Sequence, residues 1–208
     1  VYLQLVTYSG HNPFVLPDKL KRIHLRGNYP QKMLDYMTMA NYTDHALGIL
    51  LSYLKSRPDW RETMVVIVGD HEGLAADRAD IRRSAVGRRV VPAGQYTPFI
   101  VLNSPVAMRY DGVLGQVDMY PTILNLMHLD NYLWRGMGQS LLDKRKKAVA
   151  VGSQMNVEGD IPHTSKVEIS RLTQAHTIAD WVIRYNMEQP LPVLRQDSDK
   201  AAKQRLNR

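Results

Sequence analysis

Asp70 and His71 stand side by side in the stretch VVIVGDHEGL, directly after four β-forming apolar residues and a glycine. A carboxylate oxygen beside an imidazole nitrogen is a donor set for Mn²⁺, Zn²⁺ or Mg²⁺. A chain with no cysteine has no thiolate for an iron–sulfur or structural zinc site. Neighbouring residues on a strand face opposite ways, so both groups reach one ion only in a loop leaving the strand, a turn that Gly69 eases. An ordinary surface loop can carry the same pair. His11, in TYSGHNPF, also follows an apolar run. Ligands of open parallel sheets gather beyond the carboxyl ends of the strands, so His11, Asp70 and His71 converge at one edge if their strands are neighbours. His24, His45, His128, His163 and His176 have no paired ligand spacing and read as structural or solvent-facing. No P-loop, dinucleotide-type glycine loop or G-x-S-x-G elbow occurs, which removes those enzyme classes.

The elements that must position these residues follow from periodicity. Val1 to Val6 reads as a strand. Thr63 to Val68 is a continuous apolar run, suited to a parallel strand covered on both faces. YTPFIVLN, from Tyr96, and KAVAVGS, from Lys147, give further strands. Between Tyr29 and Lys55, Met33, Met37, Ala40, Asp44, Leu47, Leu51 and Leu54 recur at three- and four-residue spacings, the stripe of a long amphipathic helix that Pro58 stops. Asp44, the charge within that stripe, reads as a hydrogen-bonded packing residue. GQVDMYPTILNLMHL starts another helix, with Asp118 able to cap it and Pro121 tolerated in its first turn. A last amphipathic segment runs from about Val167 to Met187, and residues 195–208 read as a flexible polar tail. The alternation argues for an α/β fold, a mainly parallel sheet flanked by helices, in one domain over residues 1–194.

At 208 residues, 44% hydrophobic and 23% charged, the chain is long enough for a real core, and no apolar run reaches bilayer length. The net charge of +7 favours anionic partners without choosing among them. Basic residues cluster at Arg78, Arg82, Arg83, Arg88 and Arg89, and again from Lys144 to Lys147. Both clusters read first as solvated surface. Arg82 and Arg83 are also candidate contacts to an anionic substrate, because they follow His71 closely. Few aromatics are interleaved with either cluster, so no nucleic-acid partner is expected. The chain opens at Val1 on a strand already in progress, which points to a further upstream part.

TYSGHNPF, YTDHALGILLSYLK, TMVVIVGDHEG, TPFIVLNSP and GQVDMYPTILNLMHLDNYLWRGMGQSLL follow in a characteristic order and spacing over residues 1–153. They resemble the lipoteichoic acid synthase-like branch of the sulfatase and alkaline phosphatase superfamily, in the carboxyl-terminal half of its catalytic domain. The resemblance implies an alkaline phosphatase-like fold and a metal-dependent phosphoglycerol-type transferase or phosphodiesterase. In that family a threonine nucleophile attacks a phosphate ester, and Mn²⁺ is held by a glutamate, the threonine and an Asp-His pair. Asp70 and His71 match the pair, and His11 matches the histidine that contacts the substrate phosphate or the leaving group. Mg²⁺, Ca²⁺ and Zn²⁺ are alternative ions. The glutamate and threonine are expected upstream, so no residue here is assigned as nucleophile and the chain by itself is expected to be inactive. A sulfatase or phosphoethanolamine transferase is the alternative within the superfamily, although Asp-His in place of the Asp-Asn of many sulfatases favours phosphate. A noncatalytic anion-binding cell-surface module is the alternative outside it. The implied substrate is an anionic phosphate or sulfate ester, lipid headgroups included. The implied location is the cell membrane, with the catalytic domain outside the cytoplasm and anchored by upstream membrane helices.

Overall fold

Pro30 precedes the first helical residue, where its fixed φ suits a helix start, and the Met33 and Leu34 N–H groups donate to its carbonyl. The helix α1 runs from Gln31 to Ser56 and ends where Arg57, the residue before Pro58, turns extended. The computed structural model describes residues 1–129, 136–152 and 155–185. The chain folds as two compact units, Val1–Ser104 and Pro105–Arg208.

In the first unit, Met33 and Met39 of α1 join Phe14, Leu16, Leu74, Ile81 and Val91 in one buried cluster. The packed face of α1 therefore passes through Met33, Thr38 and Met39, near its amino end. Ala40 and Asp44 are exposed, so Asp44 is not the packing residue that the stripe suggested. Further along, Ile49 and Tyr53 are also exposed.

Val65–Val68 forms β1 and Phe99–Leu102 forms β2. They pair antiparallel, Val65 opposite Leu102 and Val68 opposite Phe99, and the Gly69 N–H extends the ladder to the Pro98 carbonyl at 3.1 Å. Asn103 ends β2 with φ 55°, a left-handed conformation that asparagine tolerates. Its side-chain Nδ2 donates to the carbonyls of Trp60 and Thr63, tying the exit of β2 to the entry of β1. Two short helices, α2 at Arg78–Ile81 and α3 at Ala85–Val90, fill the connection between the strands.

The second unit begins with a 3₁₀ turn, Gln116–Asp118, that runs into α4 at Met119–Leu126. Asp118 is where the capping residue was expected, but it is buried and its carboxylate serves a wider set of partners. It accepts from the Gly115 N–H at 3.0 Å and the Gln139 N–H at 2.8 Å, and it pairs with Lys146 Nζ at 3.2 Å. Burial, and secondarily the Asp118 charge, push the Tyr110 phenol above its ordinary pKa. Thr122 Oγ1 donates to the Asp118 carbonyl and accepts from the Leu141 N–H, so the segment after Gly138 is stitched to the start of α4. Val149–Val151 is β3 and Val157–Gly159 is β4, again antiparallel. The last helix, α5 at Lys166–Arg184, is capped by Ser165 Oγ, which accepts from the Glu168 N–H. Arg171 hydrogen-bonds the Glu168 carboxylate and holds it below its ordinary pKa.

Several expectations differ from the structure. Among the described residues both sheets are two-stranded and antiparallel, and no parallel pairing occurs. An apolar run reports burial but carries no strand direction, and β1 is not covered on both faces either: Val68 is 51% exposed. Val1–Val6 is exposed and outside any strand, because apolar residues complete a strand only when a partner offers hydrogen bonds. Lys146, within the cluster assigned to solvated surface, has a side chain only 6% exposed against Asp118. The polar tail at residues 195–208 lies outside the described residues. Among those described, no helix is long and apolar enough to cross a membrane.

Candidate metal and phosphate site

The strand β1 delivers Asp70 after a single residue, and that residue must be small. A Cβ on Gly69 would lie 2.9 Å from Thr97 Cβ and 3.0 Å from Pro98 Cδ, so glycine here permits a close pass of two chain segments. Asp70 Oδ1 accepts from the His71 N–H at 2.8 Å, which folds the carboxylate back toward the imidazole. His71 Nδ1 lies 2.9 Å from the Glu72 carbonyl oxygen. A carbonyl only accepts, so Nδ1 carries the hydrogen, and Nε2 is the nitrogen left for other partners. Nε2 stands 3.5 Å from Asp70 Oδ2. Two acceptors so placed repel one another unless a proton or a cation comes between them. The side chains are 87% and 71% exposed, so the pair is presented to solvent.

His11 is built the same way. Its N–H donates to the Tyr8 carbonyl and its own carbonyl accepts from the Phe14 N–H, closing a tight turn. Nδ1 donates to the Asn12 carbonyl at 2.7 Å, which leaves Nε2 on the outer edge of an exposed ring stacked on Tyr8. Both histidines therefore use the inner nitrogen on backbone and offer the outer one, the arrangement usual for an imidazole that ligates a metal or contacts a phosphate.

The segments that carry them share an anchor. Phe14, 2% exposed, meets the ring of Tyr36 edge-on at 5.2 Å. A Cβ on Gly73 would come within 2.4 Å of the same ring. Tyr36 of α1 thus receives the chain just after His11 and just after His71. Periodicity does not single it out, because it lies beside the apolar stripe and its role exists only once three segments meet.

Asp70 and His71 have the donor chemistry for a hard or borderline divalent ion. Among the described residues, no group of three or more histidine, aspartate or glutamate side chains is arranged to hold a metal. The pair is a partial donor set.

The arginines after His71 are largely committed to the protein's own backbone. Arg82 Nη1 donates to the Val91 carbonyl at 2.5 Å, and Arg88 Nη1 donates to the carbonyls of Arg82 and Arg83. Arg78 donates to the Ala93 carbonyl and pairs with Glu72. Arg83 is 83% exposed, with Nη2 3.3 Å from Asp80 Oδ1. Arg82→Ala is therefore expected to lower stability by about 1 kcal/mol. Arg83→Ala should stay within about 0.5 kcal/mol of the parent. Urea melts of both variants check this, and equal effects would refute the division of roles.

The segment that matches the sulfatase family model is residues 1–129, which contains His11, Asp70 and His71. Lipoteichoic acid synthases of Staphylococcus aureus strains USA300, NCTC 8325 / PS 47 and N315 are each 30% identical to the chain over 146 residues. The alignment covers 65% of this chain and 22% of each synthase, so the chain spans under a quarter of the length of these relatives. Over most of its length, including the strand, the turn and the two histidine loops just described, the chain belongs to the sulfatase family.

Proposed function

We propose that this chain contributes the Asp-His half of a metal site in a phosphoglycerol-type transferase or phosphodiesterase of the cell envelope. The observation that carries the reading is the His71 ring, whose Nδ1 bonds the Glu72 carbonyl while its Nε2 faces Asp70 Oδ2 at 3.5 Å. Two acceptors in that position are brought to rest by a divalent cation, with Mn²⁺ first and Mg²⁺, Ca²⁺ or Zn²⁺ as alternatives. When bound, such an ion supplies positive charge to the oxygens of a phosphoryl group. The residues of this chain do the positioning. Asp70 and His71 would hold the ion, and His11 would offer Nε2 to a phosphate oxygen or to the leaving group. Arg83, and to a lesser degree Arg82, add positive charge that attracts an anionic ester, a lipid headgroup included.

The relatives' name supports phosphate over sulfate, and their much greater length leaves room for the nucleophile and the remaining ligands elsewhere. The test is an assay of the purified 208-residue chain on a chromogenic phosphodiester and on a sulfate ester with Mn²⁺. No turnover of either is expected, because two side-chain ligands without an activated nucleophile form no covalent intermediate. Mn²⁺-dependent turnover that disappears in Asp70→Ala would show that the chain holds a complete site, and preference for the sulfate ester would replace phosphate as the substrate class.

A further inference from the structure

The charged residues beside the metal pair are distributed in an unusual way. Asp70 and His71 are solvent-exposed, whereas the next charged residue, Glu72, has a side chain only 15% exposed and forms an ion pair with Arg78, 20% exposed. Acidic and basic side chains are seldom withdrawn from water unless they are paired, as these two are. What Glu72 offers the exposed pair is its backbone, since its carbonyl is the acceptor that takes the Nδ1 hydrogen of His71. Arg78 is itself fixed at the first turn of α2 and donates to the Ala93 carbonyl at 3.3 Å. Past Glu72, Gly73 rests on the Tyr36 ring and Leu74 is buried in the core. The Glu72 carbonyl is therefore held from both sides, by an ion pair through its side chain and by packing through the chain that follows.

The geometry points to Glu72 and Arg78 as positioning residues that lock His71 in the Nδ1–H tautomer and so keep its Nε2 lone pair turned toward Asp70. This deepens the metal-site reading and rests on it for its purpose, though the tautomer lock exists without any metal. Which nitrogen of a histidine carries the hydrogen is set by the bond that the other nitrogen makes, so a carbonyl that moves away leaves the ring to sample both forms. A neutral His71 in the Nε2–H form would present a hydrogen where an ion needs a lone pair. Neither residue touches the ion or a substrate. Their effect passes through the Glu72 carbonyl.

The test is nitrogen-15 correlation spectroscopy of the imidazole rings in the metal-free 208-residue chain, at an alkaline pH where the rings are neutral. The expected spectrum shows His71 almost entirely as Nδ1–H. In Arg78→Ala it becomes a mixture, and Arg78→Lys, which keeps the charge, restores it in large part. His163, whose Nδ1 is bonded to Asp160 in the other unit, should not change and serves as the control. A mixture in the parent chain, or an unchanged His71 in Arg78→Ala, overturns the proposal. If Arg78→Ala loses its dispersed spectrum, Glu72→Gln decides, because it keeps the shape and removes the charge: a mixture supports the lock and an unaltered tautomer refutes it. Collapse of both variants also refutes it, since the pair then holds the fold and not the ring. A separate Mn²⁺ titration keeps the two readings apart. A locked tautomer with no Mn²⁺ binding removes the metal site and leaves the positioning role, and Mn²⁺ binding with an unlocked ring does the reverse.

Discussion

Replacing Asp118 with alanine is expected to unfold the second unit, at a cost of about 3–5 kcal/mol. The magnitude follows from what the carboxylate leaves behind. Lys146 Nζ, on a side chain 6% exposed, would lose the carboxylate it pairs with while still buried, keeping the carbonyls of Lys147 and Val149 and the longer-range attraction of Glu168. The Gly115 and Gln139 N–H groups would lose their acceptor at the same time. The surroundings leave little room to adjust. Gly138 passes so close to the 3₁₀ turn that a Cβ on it would meet the Val117 carbonyl at 1.8 Å. Asp118→Asn keeps the shape but not the charge, and should fall between the parent and the alanine variant. Amide hydrogen exchange at Gly115, Gln139 and along α4 measures the effect, and a loss below about 1 kcal/mol would show that the buried pair is not the hub of this unit.

The second large effect belongs to the connection between β1 and β2. Gly87, buried in α3, faces the Ile81 carbonyl so closely that a Cβ would lie 1.7 Å from that oxygen and 2.8 Å from Ser84 Oγ. The Ser84 hydroxyl caps α3 by accepting from the Gly87 N–H at 2.9 Å, so the collision falls on the bond that starts the helix. Gly87→Ala should therefore cost about 1–3 kcal/mol, the range for forcing atoms into a packed site. It should also separate α3 from α2 and weaken the Arg82 bond to the Val91 carbonyl, whereas Gly48→Ala, on an open face of α1, should be neutral or mildly stabilising. Thermal melts of the two variants check the contrast. Equal melting temperatures would mean that the Gly87 contact relaxes without cost.

What was legible in the sequence is what depends on near neighbours. The long helix stops at Pro58 because a residue before proline avoids the helical region, a local rule. The strand before Asp70 follows from a run of β-branched residues, and the donor chemistry of Asp70 and His71 follows from residue type alone. The α/β class read from the alternation of elements agrees with membership of the sulfatase family. The parts that were not legible are set by partners distant in the chain. Strand direction is decided by which segment reaches the free edge of β1, and the apolar run itself is indifferent to it. Lys146 looks like surface in a basic cluster until Asp118 closes on it. Glu72 and Arg78 read as one acid and one base among many, and Tyr36 as a residue off the stripe, because each acquires its role only when the His11 turn, the His71 loop and α1 are assembled.

The proposed function requires that Asp70 and His71 together bind a divalent cation. Electron paramagnetic resonance of Mn²⁺ titrated into the 208-residue chain tests it directly, because free hydrated Mn²⁺ gives a signal that binding removes. Saturable but weak binding is expected, since two protein ligands leave most of the coordination to water. It should be lost in Asp70→Ala and in His71→Ala and kept in Arg83→Ala. Titrations of the parent and of Asp70→Ala that superimpose would contradict the assignment.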